Sequence, residues 1–384
     1  MNILIIPSWY PSKSNPLSGS FFREQAISLH KAGHKVIVVN VSFQDRRGYF
    51  DVDNFKLKKF YDEGVIVYSY TIPAFGLGRA KRLMISNFYK RLNRVYRKIV
   101  EDGEQVDIIH AHSYMPAGYC ACKIGEMNNI PVVITEHSSK IINKDLSPIE
   151  VNYLKKCLEM AECFICVGDG LKQSVIELTG TNKKIEVVPN MVSSLFQYKE
   201  KNRHLDDFIF CSVGNLIGRK RFGLTINAFT KSFKGNGNIK LQIIGGGSLY
   251  NELKEQIDNL GMNEQIFLLG EMDREKVKHQ LQACDTFVLA SANETFGVVY
   301  IEALACGKPV IGTRNGGAEW IINEDNGVLV DVDNEVQLAD AMLKMVNNYN
   351  DYHKNEISRA TISQYGEKPV TSRLNLIYER CIKE

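Results

Sequence analysis

Two carboxylates stand eight positions apart in the second half of the chain, on either side of a glycine. Glu294 follows the apolar, β-branched run 286–290, and Glu302 comes after Gly297, where a helical pattern begins. Ligands of open α/β sheets bind outside the carboxyl ends of the strands. A helix that starts there offers unpaired N–H groups and its positive dipole end to a diphosphate. Glu302 could then bind the vicinal hydroxyls of a ribose, and Glu294 the hydroxyls of a sugar. Alternatively, Glu302 is a solvated helix residue and Glu294 contributes to capping.

Three adjacent cations, Arg219, Lys220 and Arg221, follow the strand-like run 208–213. A diphosphate that leaves as a bond to it breaks needs positive charge close to its oxygens. The segment is therefore the second candidate for the site, with an exposed basic turn as the alternative.

A glycine turn, Gly245-Gly246-Gly247, follows the next strand-like run, 240–244. It is not a dinucleotide-binding fingerprint, because Tyr250 occupies the place of the third glycine. Gly245 and Gly246 would allow close approach of backbone or ligand.

Histidines are the chemically active candidates in the first half of the chain. His110 and His112 end a strand-like run, where the alternation of side chains directs both imidazoles to one face of the sheet. Together with His137 they could bind zinc.

The nine cysteines predict neither disulfides nor a metal site, because their number is odd and they are scattered. Cys163 and Cys166 have the spacing of half a zinc or redox site, but Cys120 and Cys122 are too close together to supply the other half. We expect buried thiols and a cytoplasmic protein.

The elements that must position these residues alternate between apolar, β-branched runs and helical patterns. Strands buried on both faces and joined by crossover helices are typical of parallel α/β sheets. The strand-like runs are 3–6, 35–41, 107–110, 131–135, 163–167 and 185–188 in the first half and 208–213, 240–244, 265–269, 286–290, 309–312 and 327–330 in the second.

Two tandem α/β domains follow from this pattern and from the length of 384 residues. A polar, aperiodic segment between the halves predicts a linker. We predict a first domain over 1–190, a linker over 191–207, a second domain over 208–365 and a C-terminal helix over 366–384 that packs on the first domain.

The charge balance excludes nucleic-acid binding by the chain as a whole, because 47 Lys and Arg face 44 Asp and Glu. No stretch approaches the roughly 18 uncharged residues of a transmembrane helix. The first seven residues lack a basic leader and a cleavage site, which predicts a buried first strand rather than a signal peptide.

One local charge asymmetry predicts a membrane contact. Residues 79–98 contain eight basic residues and no acidic one, and Phe88, Leu92, Val95 and Ile99 share one face of a helix. Such a helix can lie on an anionic membrane surface at roughly 1 kcal/mol per cation. Alternatively, the apolar face packs on its own domain, and both hold if only the cations contact lipid.

The Glu-x7-Glu segment carries a family resemblance. With Phe296-Gly297 after the first glutamate and Glu-Ala-Leu-Ala-Cys-Gly-Lys-Pro-Val-Ile from Glu302, it resembles the retaining glycosyltransferases of family 4. The resemblance covers nearly the whole chain and is strongest over 213–330. It implies the GT-B fold, an α/β architecture in which two Rossmann-like domains with parallel sheets face each other across a cleft.

The resemblance also implies an activity and its partners. A sugar would pass from a UDP- or GDP-sugar to a hydroxyl of a glycan or lipid-linked acceptor, with its anomeric configuration kept, in bacterial surface polysaccharide biosynthesis. The leaving diphosphate would itself help to deprotonate the acceptor. The first-domain loops over 44–80 would select that acceptor.

The donor site implied by the resemblance lies in the second domain. Glu302 would hold the ribose, Glu294 the sugar and Lys220 a phosphate. Many members carry Arg where Asn215 stands here, so Arg219 is the candidate for the second charge on the leaving group. The other implied donor contacts are Asn215, Gly245, Gly246, Met272, Ser291, Thr295, Phe296, Gly297 and Val298.

The first domain would complete the site. Gly19 corresponds to a flexible glycine loop over the donor diphosphate, with a plain helix N-cap as the alternative. His112 would lie near the phosphates and the transferred sugar, and His137 on the acceptor side.

No metal or other cofactor is predicted. The triplets Asp51-Val52-Asp53 and Asp331-Val332-Asp333 match a motif that holds a divalent metal in a different glycosyltransferase fold. Each lies in a polar loop outside the other motifs, so we expect surface carboxylates.

Two other functions stay open. A nucleotide-sugar epimerase of the same shape would need no acceptor and would carry acid/base carboxylates in place of Glu-x7-Glu. A non-catalytic nucleotide-sugar-binding partner of another transferase would have lost Lys220, Glu294 or Glu302, which are present here.

Overall fold

The computed structural model describes residues 1–11, 18–44, 56–73, 81–200 and 207–383. They form two compact units, the first from Met1–Pro189 and Lys368–Glu384, the second from Asn190–Glu367. These bounds lie within two residues of the predicted domain ends at 190 and 365.

The first unit contains an eight-stranded sheet in the order β3-β4-β2-β1-β5-β6-β7-β8. All neighbours are parallel except β3 and β4, which are antiparallel. The strands are β1 (Asn2–Pro7), β2 (Lys35–Gln44), β3 (Lys58–Asp62), β4 (Val65–Pro73), β5 (Ile108–His112), β6 (Val132–Glu136), β7 (Cys163–Cys166) and β8 (Ile185–Val187). The helices are α1 (Ser20–Lys31), α2 (Lys81–Glu101), α3 (Tyr119–Asn128), α4 (Ser139–Ile142), α5 (Pro148–Met160), α6 (Asp169–Thr179) and, from the end of the chain, α13 (Glu367–Lys383).

The second unit contains a six-stranded parallel sheet in the order β11-β10-β9-β12-β13-β14. Its strands are β9 (Phe208–Val213), β10 (Ile239–Ile244), β11 (Ile266–Gly270), β12 (Thr286–Leu289), β13 (Val310–Thr313) and β14 (Gly327–Val330). Its helices are α7 (Phe222–Phe233), α8 (Tyr250–Leu260), α9 (Arg274–Ala283), α10 (Val298–Ala305), α11 (Glu335–Asn347) and α12 (Lys354–Tyr365).

The hairpin of β3 and β4 was not among the predicted strands, which were all expected to be parallel and buried. β3 is an edge strand whose sequence, KKFYD, is exposed almost throughout. Edge strands carry charged and polar side chains that block further pairing. The polar composition of β3 therefore hid this strand in a segment that the sequence analysis assigned to loops.

The predicted linker over 191–207 packs on the second unit in its described part. Met191, Val192 and Phe196 are buried. The Val192 N–H donates to the Tyr365 carbonyl at 2.8 Å, and the Arg274 guanidinium lies 5.0 Å from the centre of the Phe196 ring. The segment has no periodicity because it is irregular, yet its apolar side chains belong to a core.

The C-terminal helix α13 is part of the first unit. The Tyr378 hydroxyl lies 2.6 Å from Nδ1 of His110, and Asn375 Oδ1 lies 2.9 Å from Nε2 of His34. Leu374 and Tyr378 are buried. A buried polar contact with β5 and a part-buried one with the residue before β2 thus fix where the helix lies.

Helix α2 carries most of the basic segment, while Arg79 lies outside the described residues. Phe88, Leu92, Val95 and Ile99 are all 0% exposed. The apolar face is therefore core of the first unit, and an insertion of that face into lipid is excluded. Nowhere in the described ranges is a helix both long and apolar enough to span a bilayer.

We predict that Phe196→Ala lowers the free energy of unfolding by about 3–5 kcal/mol, because it leaves a cavity where a fully buried ring was. Val336→Ala, at a helical position of the second unit that is 54% exposed, is the control and should stay within about 0.5 kcal/mol of the wild type. Denaturant unfolding measures both. A loss below about 1 kcal/mol for Phe196→Ala would mean that the segment is a free linker after all.

Candidate active site

The loop between β12 and α10 carries both glutamates of the second unit. Gly297 immediately precedes α10 in a left-handed conformation, with φ of 96°. A β-carbon at this position would lie 2.5 Å from Cδ2 of Tyr300, so both the backbone angle and the space require glycine. Gly297 turns the chain so that the first N–H groups of α10 face the loop.

Glu294 and Lys220 form a buried ion pair between Oε1 and Nζ. They are 74 positions apart in sequence, but β9 and β12 are neighbours in the sheet, so the segments that follow these strands lie side by side. The two side chains are only 9% and 11% exposed. An ammonium has three N–H donors, so two remain for a ligand.

Arg219 supplies a second charge at the same place. Its Nη1 lies 3.8 Å from Oε2 of Glu294 and 3.4 Å from the Asn293 carbonyl. Arg221 instead turns to the exposed Asp333, with Nε 2.6 Å from Oδ1. Of the three predicted cations, two therefore belong to the site and one does not.

Glu302 is buried on α10, with 2% of the residue exposed. Its Oε1 lies 2.8 Å from Nη2 of Arg274. The solvated alternative for Glu302 is thereby excluded. The capping alternative for Glu294 also fails, since Gly297 occupies the N-cap of α10 and the Glu294 carboxylate faces Lys220.

The glycine turn after β10 approaches the turn after β9 very closely. The Gly214 N–H donates to the Ile244 carbonyl at 3.0 Å, and the Leu216 N–H to the Gly246 carbonyl at 2.9 Å. A β-carbon on Gly245 would collide with the Gly214 carbonyl. These glycines thus bring two strand ends together, and Asn215 between them is exposed.

The remaining predicted donor residues differ in exposure. Ser291 and Phe296 are buried, and the Ser291 hydroxyl has no hydrogen-bond partner within the described part of the chain. Thr295, Val298 and Met272 are half-buried, Met272 in the loop between β11 and α9.

In the first unit, His112 and His137 lie together at the ends of β5 and β6. Nδ1 of His112 is 3.2 Å from Nε2 of His137, and the Phe22 ring stacks on His112 at 4.5 Å. Gly19 immediately precedes α1 in a left-handed conformation, and a β-carbon there would lie 2.7 Å from the Trp9 carbonyl oxygen. Gly19 therefore has the geometry of the N-cap alternative, while its role towards a donor stays a prediction.

His110 is a structural residue. Its ring nitrogens lie 2.6 Å from the Tyr378 hydroxyl and 2.8 Å from Oγ1 of Thr135. Burial lowers the pKa of His110 to about 3, and burial together with the neighbouring histidines lowers the pKa of His112 well below its usual range. Both imidazoles are therefore neutral at physiological pH.

Within the described ranges, no group of three His, Cys, Asp or Glu side chains is arranged to hold a metal ion. Both Nδ1 and Nε2 of His110 are engaged, which removes it from the hypothetical zinc site with His112 and His137. Asp331 and Asp333 are exposed and pair with Arg314 and Arg221. The triplet at 51–53 lies outside the described residues.

Asn315 and Glu136 are positioning residues that sequence reasoning missed. The Asn315 carbonyl accepts the Glu294 N–H at 3.0 Å, while its Oδ1 accepts the N–H groups of Gly317 and Ala318 at 3.2 and 3.0 Å. The fully buried Glu136 carboxylate accepts three backbone N–H groups, including that of His137 at 2.8 Å. The sequence offers two signals for these residues: an Asn before two glycines and a Glu before a histidine, each at the end of a strand.

Two family models match consecutive parts of the chain. The model of Glycosyltransferase Family 4 matches residues 18–194, and the model of Glycosyl transferases group 1 matches residues 196–368. The chain belongs to glycosyltransferase family 4. The family predicted from the Glu-x7-Glu segment is thus confirmed, and the protein is a glycosyltransferase.

Known relatives of this glycosyltransferase resemble it over most of its length. The N-acetyl-alpha-D-glucosaminyl L-malate synthase of Bacillus anthracis is 27% identical over 299 residues, 74% of this chain and 77% of the relative. The lipopolysaccharide core biosynthesis glycosyltransferase LpsD of Rhizobium meliloti is 26% identical over 275 residues, 70% of this chain and 72% of the relative.

The structure is similar to that of HepE from Anabaena, which was solved in complex with UDP. The TM-score is 0.74 at 16% identity, over 99% of this chain and 100% of HepE. This likeness concerns the fold, which is GT-B as predicted.

Because these buried histidines are neutral, we expect the protein to become less stable as the pH falls. An unfolded histidine takes up a proton below about pH 6.5, whereas the buried His110 and His112 do not, so each costs about 1.4 kcal/mol per pH unit below that value. Burial raises the pKa of Glu136 to about 6, which opposes the loss only below that pH. We expect the free energy of unfolding to drop by about 2 kcal/mol between pH 7.5 and 5.5.

His110→Gln should remove about two-thirds of that decrease, measured by urea unfolding at both pH values. The exposed His353, replaced by Gln, is the control and should leave the decrease unchanged. An equally steep decrease in His110→Gln would show that other groups cause it.

Proposed function

We propose that this glycosyltransferase moves a sugar from a UDP-sugar to a hydroxyl of a glycan or lipid-linked acceptor, with the anomeric configuration kept. The observation that carries the proposal is the placement of the buried pair of Lys220 and Glu294 beside Gly297, where α10 begins, with Glu302 buried on the same helix. A cation, a helix N-terminus and two carboxylates are what a nucleoside diphosphate with a sugar and a ribose requires.

Each site residue has a chemical task in this proposal. The Glu302 carboxylate accepts hydrogen bonds from the ribose hydroxyls. Lys220 and Arg219 bind the diphosphate, and their contacts strengthen as the glycosidic bond breaks and charge develops on the leaving oxygen. Glu294 orients the sugar through its hydroxyls and holds the Lys220 ammonium in place.

The proposed stereochemistry follows from the charges. Glu294, the carboxylate proposed to hold the sugar, is engaged by Lys220, which lowers its nucleophilicity. A front-face route, in which the leaving diphosphate accepts the proton of the attacking hydroxyl, needs no carboxylate nucleophile. In this route the neutral His112 orients the sugar, and His137 lies on the acceptor side. No metal ion takes part, because Lys220 and Arg219 supply the positive charge.

The choice of UDP and of the acceptor class draws on the similar proteins. HepE was solved with UDP, and the name of the Bacillus anthracis relative describes a product that carries N-acetylglucosamine. The Rhizobium relative is named for lipopolysaccharide core biosynthesis. We therefore favour a UDP-hexose or UDP-N-acetylhexosamine donor and a role in bacterial surface polysaccharide biosynthesis.

A contact with the inner face of the plasma membrane is part of the proposal. Lys90, Arg94 and Arg97 are exposed at i, i+4 and i+7 of α2, opposite its buried apolar face. Cations on a helix surface are attracted to anionic lipid at roughly 1 kcal/mol each. The enzyme would then lie on the cytoplasmic leaflet, where lipid-linked acceptors are.

We predict that Lys220→Ala lowers kcat for sugar transfer by about 10²–10³-fold, because one charge that stabilises the leaving group is lost. Arg221→Ala is the matched control, since it removes the adjacent cation, which pairs with Asp333 instead. Its rate should stay within about twofold of the wild type. Equal losses of kcat in the two variants would show that the rate depends on the total positive charge of this segment and not on the Lys220 contact.

The rate is measured as UDP release from UDP-glucose and UDP-N-acetylglucosamine, with and without an acceptor extract, and the anomeric proton of the product is read by NMR. A product with the donor's configuration supports the front-face route, and an inverted product contradicts it. Slow donor hydrolysis without acceptor distinguishes a transferase from a mere binder. Conversion of the donor to its epimer without acceptor would favour the epimerase alternative.

We predict that the triple replacement of Lys90, Arg94 and Arg97 by Ala weakens sedimentation with phosphatidylglycerol vesicles by about 100-fold, from three cations at roughly 1 kcal/mol each. Neutral phosphatidylcholine vesicles should retain neither protein. The charge-matched control replaces three exposed cations elsewhere, Lys155, Lys254 and Arg359. Equal weakening in both triple variants would mean that net charge alone drives binding.

A further inference from the structure

Arg274 is the cation next to the ribose-binding candidate, Glu302. Its Nη2 lies 2.8 Å from Oε1 of Glu302, and the two side chains are 24% and 3% exposed. The pair lies within the second unit but joins different helices, since Arg274 begins α9 and Glu302 lies on α10.

Two further contacts determine where the guanidinium lies. Asp273 caps α9 by accepting the Lys276 N–H at 2.8 Å, which fixes the start of the helix and the backbone of its first residue. The Phe196 ring, which is fully buried, lies 5.0 Å from the guanidinium carbon. A guanidinium on an aromatic face is held both by dispersion and by the ring quadrupole. Arg274 is therefore positioned from the Phe196 side as well as from the Glu302 side.

The carboxylate needs this cation for its proposed task. The Glu302 side chain is only 3% exposed, so it has little room to turn, and the guanidinium at Oε1 determines which way the carboxylate faces. The two hydroxyls of a ribose donate hydrogen bonds, so they need carboxylate oxygens that point towards them.

We propose that Arg274 is a positioning residue for nucleotide binding, which holds the Glu302 carboxylate oriented towards the ribose hydroxyls. This inference rests on the proposed donor site and adds a residue outside the Glu-x7-Glu segment to it. It also gives the segment at 190–200 a function, because Phe196 supports the guanidinium.

The test compares UDP with 2′-deoxy-UDP by isothermal titration calorimetry. In the wild type, loss of one hydroxyl that donates to a carboxylate should weaken binding about tenfold or more. In Arg274→Gln the ratio of the two dissociation constants should fall towards one, and UDP itself should bind about 10–100-fold more weakly.

Two further variants separate charge, shape and folding. Arg274→Lys keeps the charge but loses the planar fork, so UDP affinity and the ratio of the two dissociation constants should each fall a few-fold. Lys278→Gln, on the same helix and paired with Glu275, should bind both nucleotides as the wild type does. The circular dichroism spectra of the variants at Arg274 and Lys278 are compared with that of the wild type to check that they fold.

The outcomes distinguish the inference from the proposed function. If the wild type binds UDP and the ratio is unchanged in Arg274→Gln, Arg274 has only a structural role and the inference is overturned alone. If Arg274→Gln does not fold, wild-type affinity and ratio in Arg274→Lys overturn the orienting role. If the folded wild type binds neither UDP nor GDP, the donor site fails and the inference fails with it.

Discussion

The candidate donor site depends on the burial of two carboxylates, each beside a cation from another element. Glu294 faces Lys220, and Glu302 faces Arg274. A buried carboxylate without such a partner becomes protonated, and removal of one member of a buried pair is strongly destabilising. The first pair joins the segments after β9 and β12, and the second joins α9 to α10. In the proposed donor site the carboxylates accept hydrogen bonds from hydroxyls, and the remaining N–H donors of the cations bind phosphate.

Other residues of the second unit position the segments that carry these two ion pairs. Gly297 turns the chain into α10, Gly245 lets the end of β10 approach the turn at Gly214, and Asn315 holds the backbone of Glu294. The first unit differs, because two of its buried histidines are uncharged. His112 is neutral through burial, and its neighbour His110 is fixed by Thr135 and Tyr378.

Most of the fold could be predicted from the sequence because its central strands are buried on both faces. Apolar runs such as 3–6 and 286–290 fall on β1 and β12, which are buried almost throughout. β3 was missed because an exposed edge strand has no such pattern, and Phe196 because a buried residue in an irregular segment has no period. In the site, Lys220 and Glu294 were predictable, since both follow strands and strand ends share an edge. Arg274 was not, because its contact with Glu302 depends on side-chain packing between two helices.

The measurement that tests the donor site most directly is saturation-transfer NMR of the folded protein against UDP-, GDP- and ADP-sugars, with Glu302→Ala as the control. The account predicts transfer to the ribose protons of one nucleotide, UDP, and a clear loss of that transfer in Glu302→Ala. Silence for all three nucleotides, or equal transfer in the wild type and Glu302→Ala, would contradict it.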